Sequence, residues 1–244
     1  MQEFEEWRIS RSKELGKNIP YEKAALVWMN QAIRNDYSYL FTWLGVPVIQ
    51  FPSDIFLIQE AIFRSRANKI VEVGIARGGT TIFLASLIKL IHGDKDSAVI
   101  GVDIQISPHT RIAVEKSVVR NQITFVEGNS TSEEVVAKVR QLITKDDIVL
   151  VILDSNHTEE HVYNEMELYG ELVTPGAYLV VMDTAIEYVD SEVIAGKPWG
   201  KGNNPLTAIN RYHSKNRNVY HVDSDLDSRS LPGAARKGFL RKSI

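Results

Sequence analysis

Four short apolar segments, each rich in β-branched residues, constrain the fold of this chain more than any other feature. They span residues 69–74, 98–103, 147–154 and 177–183. A strand with one solvent-exposed face alternates apolar and polar side chains. Continuous apolar runs of this length are instead typical of strands that are covered on both faces. We therefore predict a parallel sheet between two layers of helices, with residues 123–126 as a fifth candidate strand.

Helical patterning separates these strands, most clearly over residues 158–173, where Thr158 can cap the first turn. One face of that helix is apolar, with Val162, Met166, Tyr169 and Val173. Alternating strands and helices indicate an α/β fold, either open and doubly wound or closed as an eight-stranded barrel. The first strand begins only near residue 69, which leaves about 175 residues, fewer than the roughly 200 to 250 of a barrel. An open Rossmann-like sheet is the expected fold.

The chain before the first strand has a different character. Residues 1–68 carry few strand signals and include an aromatic-rich stretch at 37–43. We predict an N-terminal extension of helices and an extended arm over 1–68, packed on a Rossmann-like domain at 69–244. The aromatic side chains are expected to add core or, alternatively, to contact substrate. Residues 184–204, a long segment rich in glycine, are predicted to form a lid or binding loop.

The composition excludes several classes of function. The 28 Lys and Arg residues against 31 Asp and Glu give a net charge of −3, which does not favour a nucleic-acid partner. With no cysteine, the chain has no disulfide, thiolate nucleophile or cysteine-bound metal. The charged opening residues lack the apolar centre of a secretory signal, and no apolar run approaches the roughly 20 residues of a membrane span. We expect a cytoplasmic protein without a membrane span.

The turn after the first strand reads Glu72-Val-Gly74-Ile-Ala-Arg77-Gly78-Gly79 and precedes an apolar helix. Glycines at such a turn let a ligand approach the backbone, and a helix N-terminus offers free N–H groups. The spacing is neither that of a dinucleotide fingerprint nor that of a nucleotide triphosphate loop. Asp103 ends the second strand, where an acid can accept both hydroxyls of an adenosine ribose. Together these features favour S-adenosylmethionine (SAM) over NAD, the alternative being a glycine turn without a ligand.

Acidic residues follow the next two strands. Asp154-Ser-Asn-His157 ends one and Asp183 ends the other, so in an open α/β sheet both acids face the same cleft. Two carboxylates near an oxygen nucleophile are a candidate Mg²⁺ site, and His157 suits a general base near neutral pH. Alternatively, Asp154 caps a turn and His157 is an ordinary loop residue. A zinc site on His157 and His161 is disfavoured because further nitrogen ligands are missing.

Six strings, in this order along the chain, resemble the SAM-dependent methyltransferases grouped as the cephalosporin hydroxylase family, which are related to macrolide-sugar and glycolipid rhamnosyl O-methyltransferases. They are Trp43-Leu-Gly-Val-Pro-Val-Ile-Gln50, Glu72-Val-Gly-Ile-Ala-Arg-Gly-Gly79, Leu153-Asp-Ser-Asn-His157, Val173-Thr-Pro-Gly-Ala-Tyr-Leu-Val-Val181, Pro198-Trp-Gly-Lys-Gly-Asn-Asn-Pro205 and Gly238-Phe-Leu-Arg-Lys242.

The resemblance implies a class I methyltransferase sheet, SAM at residues 72–78 and Asp103, and a divalent metal. It carries the metal to Asp154 and Asp183 and the base to His157, with Asp154 also placed in the catalytic set. Met182 departs from the pattern, since the family usually has Glu there. We also assign Arg77, Gly128 and Ser130 to the cofactor site.

The expected function is Mg²⁺-assisted O-methylation of a hydroxyl on a sugar, glycolipid, polysaccharide or other natural-product acceptor, by a homo-oligomer. Two alternatives stay open. One is a hydroxylase or other oxidoreductase, as the family label suggests, although a nicotinamide fingerprint and an iron triad are missing. The other is a non-catalytic SAM-binding subunit, motivated by Met182.

Overall fold

The computed structural model describes residues 2–93 and 97–244. Its helices are α1 (Gln2–Leu15), α2 (Ile19–Arg34), α3 (Pro52–Ser65), α4 (Gly79–His92), α5 (Pro108–Glu115), α6 (Glu133–Gln141), α7 (Glu159–Gly170), α8 (Pro205–Lys215) and α9 (Ser224–Arg229). Its strands are β1 (Phe41–Trp43), β2 (Val46–Val48), β3 (Lys69–Val73), β4 (Ala98–Asp103), β5 (Ile123–Glu127), β6 (Val149–Leu153), β7 (Tyr178–Val181), β8 (Tyr220–Val222) and β9 (Phe239–Lys242).

The large sheet has the strand order β5-β4-β3-β6-β7-β9-β8. Strands β3 to β7 run parallel, and β9 and β8 are added antiparallel at one edge. All five predicted strands are present, and the open α/β sheet is confirmed. Strands β8 and β9 were not predicted, because β8 is only three residues long and β9 ends in the charged pair Arg241 and Lys242, so neither gives a continuous apolar run.

Helices cover both faces of this sheet, as expected for a doubly wound fold. One apolar cluster joins α3 and α4 to the sheet, and the other joins α6, α7 and α8 to its opposite face. The first cluster also contains Met29 of α2 and Phe51, in contact with the same core as Ile70 of β3. Each such buried side chain contributes about 1.5–3 kcal/mol. The N-terminal region thus packs directly on the sheet.

The predicted extended arm is the antiparallel hairpin of β1 and β2. It lies against the start of α4, where the backbone of Pro47 comes so close to Gly79 that a Cβ atom at Gly79 would overlap the Pro47 carbonyl. This approach explains the second glycine of the Gly78-Gly79 pair by packing. It also makes the hairpin one wall of the region above β3.

Helix α7 begins where the sequence predicts but ends earlier than predicted. Thr158 occupies the N-cap position, but its side chain does not cap the helix; instead its Oγ1 donates to Oδ1 of Asn156. The helix ends at Gly170, three residues before Val173, which is nevertheless buried.

No helix in the described part of the chain is both long and apolar enough to cross a membrane.

Candidate active site at the carboxyl ends of the strands

The turn after β3 is shaped by the close approach of two strand ends. Gly74 has a φ of +92°, and a Cβ atom there would overlap the backbone carbonyl of Asp154, just after β6. Only glycine tolerates both this backbone conformation and this proximity. The approach places the backbone of the turn directly beside Asp154.

Asp103 holds the turn from the neighbouring strand β4. Its Oδ2 accepts hydrogen bonds from the backbone N–H groups of Ile75, at 3.0 Å, and Ala76, at 3.3 Å. Ala76 has a φ of +44°, a conformation that a residue with a Cβ adopts at a cost of about 1–2 kcal/mol. The Oγ1 of Thr110 donates to the carbonyl of Ala76 as well. Asp103 and Thr110 therefore fix the conformation of the turn.

Glu72 lies beneath the turn. Its carboxylate accepts a hydrogen bond from Oγ1 of Thr81 at 2.5 Å, and its side chain is buried. Burial, and then the negative charge of Asp103, raises the pKa of Glu72 to about 8, while the Thr81 hydrogen bond opposes the rise. Glu72 thus ties β3 to α4 from below.

Two cavities open above the strand ends and meet at the turn, the place where open α/β sheets bind ligands. The Asp103 cavity, of about 400 Å³, is lined in part by Asp103, Ile104, Asn129, Ser130 and His161. The Asp183 cavity, of about 450 Å³, is lined in part by Tyr39, Gln50, Arg77, His157, Asp183 and Lys197. Five residues line both cavities: Gly74, Ala76, Asp154, Ser155 and Trp199.

The residues predicted to bind cofactor divide into two groups. Four of them line a cavity: Gly74, Arg77, Asp103 and Ser130. Glu72, Gly78 and Gly128 line neither. Gly78 is the N-cap residue of α4, with a φ of +82°, and Gly128, with a φ of +146°, lies against the side chain of Val135. These three residues lie next to the cavity walls without lining them.

Asp154, His157 and Asp183 come together as the sequence predicts. One ligand atom from each lies within 4.8 Å of the others, and Nδ1 of His157 is 3.4 Å from Oδ2 of Asp183. Asp183 has a φ of +56°, so the chain turns sharply after β7 and directs this carboxylate toward the tip of β6. Two carboxylates and an imidazole thus face one point on the wall between the cavities.

The electrostatics of this group fit a divalent cation. Burial, followed by the negative charges of Asp183 and Glu72, raises the pKa of Asp154 well above its usual range. A partly buried carboxylate that is repelled by its neighbours is stabilised by a nearby positive charge. Two carboxylates are the protein ligands that Mg²⁺ usually takes, the other positions being filled by water and substrate. The residues present therefore fit the predicted metal.

Met182, where the family usually has Glu, points away from this site. Side chains of β7 alternate across the sheet, so Tyr178, Val180 and Met182 join the core beneath α3, and Met182 is 1% exposed. The next residue, Asp183, faces the cavity. The departure from the family pattern therefore removes no ligand from the Asp154, His157 and Asp183 group.

The segment after β7 forms a wall over the site and includes two short turns, Thr184–Glu187 and Ser191–Ile194. Oε2 of Glu187 accepts from the backbone of Gly202 and the side chain of Asn204, which holds the segment closed on itself. Trp199 is presented inward, with its ring centroid 4.7 Å from that of His157 in an edge-to-face contact. The predicted binding loop therefore contacts the candidate base directly.

Gln50 is a site residue that sequence reasoning missed. Its Nε2 donates to Oδ2 of Asp154 at 2.6 Å, and its side chain is buried. Gln50 ends the first string that carries the family resemblance, and this position was the available signal. A local pattern alone does not connect it to an aspartate 104 residues further along the chain.

His161, the other half of the H-x-x-x-H pair, lies in a different place from His157. Its Nε2 is 3.0 Å from Oε1 of Glu165, and it lines the Asp103 cavity, whereas His157 lines the Asp183 cavity. The two rings therefore do not form the zinc pair that the sequence analysis disfavoured.

The sheet order, the glycine turn after β3 and the acid at the end of β4 define a class I methyltransferase. The sequence profile of the rhamnosyl O-methyltransferase/CmcI family matches residues 35–243, and the chain belongs to this family. The predicted family, and with it the class of SAM-dependent O-methyltransferases, is confirmed.

Individual relatives agree with this assignment. A rhamnosyl O-methyltransferase from Mycobacterium leprae is 28% identical over 207 residues, which cover 82% of each chain. Two CmcI structures, one an apo form and one with Mg and SAM, are 20% identical to this chain and superpose with TM-scores of 0.63 and 0.60. They cover 84% of this chain and 77% and 78% of their own, and they show the shared fold.

Proposed function

We propose that this protein transfers the methyl group of SAM to a hydroxyl of a sugar-containing acceptor, with the assistance of Mg²⁺. The observation that carries the proposal is the position of Asp154, which lines both cavities and, with His157 and Asp183, forms an acidic site where they meet. A methyl donor in one cavity and an acceptor hydroxyl in the other would react at this wall.

The Asp103 cavity is the proposed site for the adenosine of SAM. Asp103 is placed to accept hydroxyls of the ribose, while the Gly74 turn lets the sulfonium approach the Asp183 cavity. Arg77 lines that second cavity and carries a positive charge suited to the carboxylate of the methionine part. Glu72, Gly78 and Gly128 would act indirectly, by keeping the turn in shape.

The acceptor hydroxyl attacks the methyl carbon in line with the carbon–sulfur bond. The new carbon–oxygen bond forms as the carbon–sulfur bond breaks. The electron pair of the carbon–sulfur bond goes to sulfur, which leaves S-adenosylhomocysteine. The hydroxyl proton goes to His157, whose ring Asp183 and Trp199 orient. Bound Mg²⁺, held by Asp154 and Asp183, would lower the pKa of the acceptor hydroxyl.

The sugar class of the acceptor rests on the relatives and on the wall of the Asp183 cavity. The relative from M. leprae is a rhamnosyl O-methyltransferase. Tyr39 and Trp199 line the cavity, and aromatic rings offer flat apolar surfaces suited to the C–H faces of a sugar ring. We propose that residues 1–68 and 184–204 set acceptor specificity, because both contribute to this wall.

The test is transfer of an isotope-labelled methyl group from SAM to rhamnosyl, other glycosyl and non-sugar hydroxyl acceptors, with Mg²⁺ and with a chelator. We expect labelled product with a glycosyl acceptor, and its loss in the chelator. SAM binding without transfer to any of these acceptors would contradict the proposed reaction. Undiminished transfer in the chelator would contradict the role of the metal alone.

A further inference from the structure

A polar cluster borders the Asp103 cavity, and its central carboxylate has no part in the methyl transfer described above. Its centre is Glu165 of α7, which is 0% exposed. Oε1 of Glu165 lies within hydrogen-bond distance of three side chains: Oγ of Ser130 at 2.5 Å, Oγ of Ser155 at 2.6 Å and Nε2 of His161 at 3.0 Å. The cluster therefore joins the ends of β5 and β6 to the first turns of α7.

The second oxygen of the same carboxylate has no such support. Oε2 of Glu165 is buried and has no hydrogen-bond partner among the described residues. A carboxylate that is buried, with one oxygen unpaired, is unfavourable for folding alone. Leucine or methionine would fill such a position in a helix more favourably, so the chemistry of the carboxylate points to a function.

That function acts through His161. The hydrogen bond with Glu165 orients the ring and raises the pKa of His161. With Nε2 facing Glu165, Nδ1 is the nitrogen left for another partner, and it makes no hydrogen bond within the described part of the chain. The ring is partly exposed and lines the same cavity as Asp103 and Ile104, whose apolar side chain is 70% exposed.

We propose that His161 hydrogen-bonds the purine edge of the cofactor and that Glu165 is its positioning residue. The inference rests on the proposed placement of adenosine in the Asp103 cavity. Adenine presents an amino donor at position 6 and an acceptor at N1, whereas hypoxanthine presents an acceptor and a donor there. With Nε2–H donated to Glu165, the neutral ring presents Nδ1 as an acceptor. Placed opposite position 6 of the purine, Nδ1 accepts from the amino group of adenine but faces only a carbonyl oxygen on hypoxanthine, so the neutral ring selects adenine.

The test compares the binding of S-adenosylhomocysteine with that of its hypoxanthine analogue, S-inosylhomocysteine, by calorimetry on the full chain without metal. We expect the unmodified protein to bind the adenine compound about tenfold more tightly, which is 1.4 kcal/mol. His161→Ala should reduce this ratio to within about twofold. Glu165→Gln, which keeps the shape but removes the charge, should reduce it partly. His109→Ala, an exposed histidine that lines neither cavity, should leave it unchanged.

A merely structural role for the cluster would not change the ratio of the two affinities, because partial loss of the fold weakens the binding of both compounds equally. Equal binding of the two compounds by the unmodified protein would overturn the inference, and this needs no variant to fold. Retention of the full ratio by a folded His161→Ala protein would overturn it too. Failure of the unmodified protein to bind S-adenosylhomocysteine at all would instead contradict the proposed function.

Discussion

The side-chain amide of Gln50 donates a hydrogen bond to Oδ2 of Asp154, with 2.6 Å between the two atoms. Gln50 lies between the N-terminal hairpin and α3, while Asp154 follows the central strand β6. The bond therefore connects the N-terminal region to the proposed metal site and orients the Asp154 carboxylate.

Gln50→Ala should weaken the response to Mg²⁺ because Asp154 loses the donor that orients it. We expect activity or apparent Mg²⁺ affinity to fall by about 10- to 100-fold, as is usual for partners of metal ligands. The measurement is the rate of methyl transfer across a Mg²⁺ titration, with the exposed Gln141→Ala as the matched control. Unchanged Mg²⁺ dependence would show that Asp154 is oriented without Gln50.

His157→Ala should slow methyl transfer while leaving SAM binding intact, because His157 lines the Asp183 cavity and not the Asp103 cavity. Removal of a general base lowers kcat by about 10²- to 10⁴-fold. Single-turnover transfer and calorimetry with SAM separate the two quantities, and His221→Ala, an exposed histidine, serves as the control. A variant with the full transfer rate would exclude His157 as the base.

Met182→Glu, which restores the residue usual in the family, should destabilise this protein rather than add a metal ligand. The side chain is 1% exposed in an apolar cluster, and an unpaired carboxylate there is strongly unfavourable. Urea unfolding should also show a loss of about 2–5 kcal/mol for Met182→Ala, against little change for Leu90→Ala, which is 81% exposed. A stable Met182→Glu protein with tighter Mg²⁺ binding would contradict this placement.

Gly74→Ala should disrupt the turn through steric overlap as well as through backbone strain. Gly45 separates the two effects, since its φ of +82° is similar but no atom lies within 4 Å of a Cβ placed there. Gly45→Ala should therefore cost only about 1–2 kcal/mol of strain. Gly74→Ala adds contact with the Asp154 carbonyl, and we expect a larger loss of stability together with loss of SAM binding. If urea unfolding showed the same loss of stability for Gly74→Ala and Gly45→Ala, backbone strain alone would account for the effect at Gly74.

In the absence of cofactor, the free energy of unfolding of the Glu72→Gln variant should rise relative to that of the unmodified protein as the pH rises. The pKa of Glu72 is about 8 in the folded protein and 4.5 as the ordinary value, so the folded state holds its proton over a range where the unfolded state has lost it. Glu72 ionisation therefore reduces stability progressively between about pH 4.5 and pH 8. Urea unfolding at a series of pH values should show the difference between the two proteins growing over this window. A constant difference would contradict the raised pKa.

Several features of the molecule follow directly from local sequence. The β-branched apolar runs specify the parallel strands because their patterning admits water on neither face. The glycine turn, Asp103, Asp154 and Asp183 could be placed at one edge of the sheet, since parallel strands end on the same side. His157 was linked to this group by its distance of three residues from Asp154.

Other features required contacts between distant parts of the chain. Three C-terminal cations are paired: Arg229 contacts Glu60, Arg236 contacts Glu22, and the Lys242 ammonium donates to carbonyls at and just after the end of α7. Arg229 ends α9, Arg236 lies between α9 and β9, and Lys242 ends β9. No local pattern encodes such pairs.

The sequence by itself determined the strands, the turn and the set of acids, because these depend on side-chain patterning and on where a strand ends. Tertiary structure alone decided that Gln50 reaches Asp154, that Met182 enters the core while Asp183 faces the cavity, and that His161 separates from His157. Each of these outcomes depends on which elements pack together and on which face of an element a residue lies, and those choices are made by long-range burial.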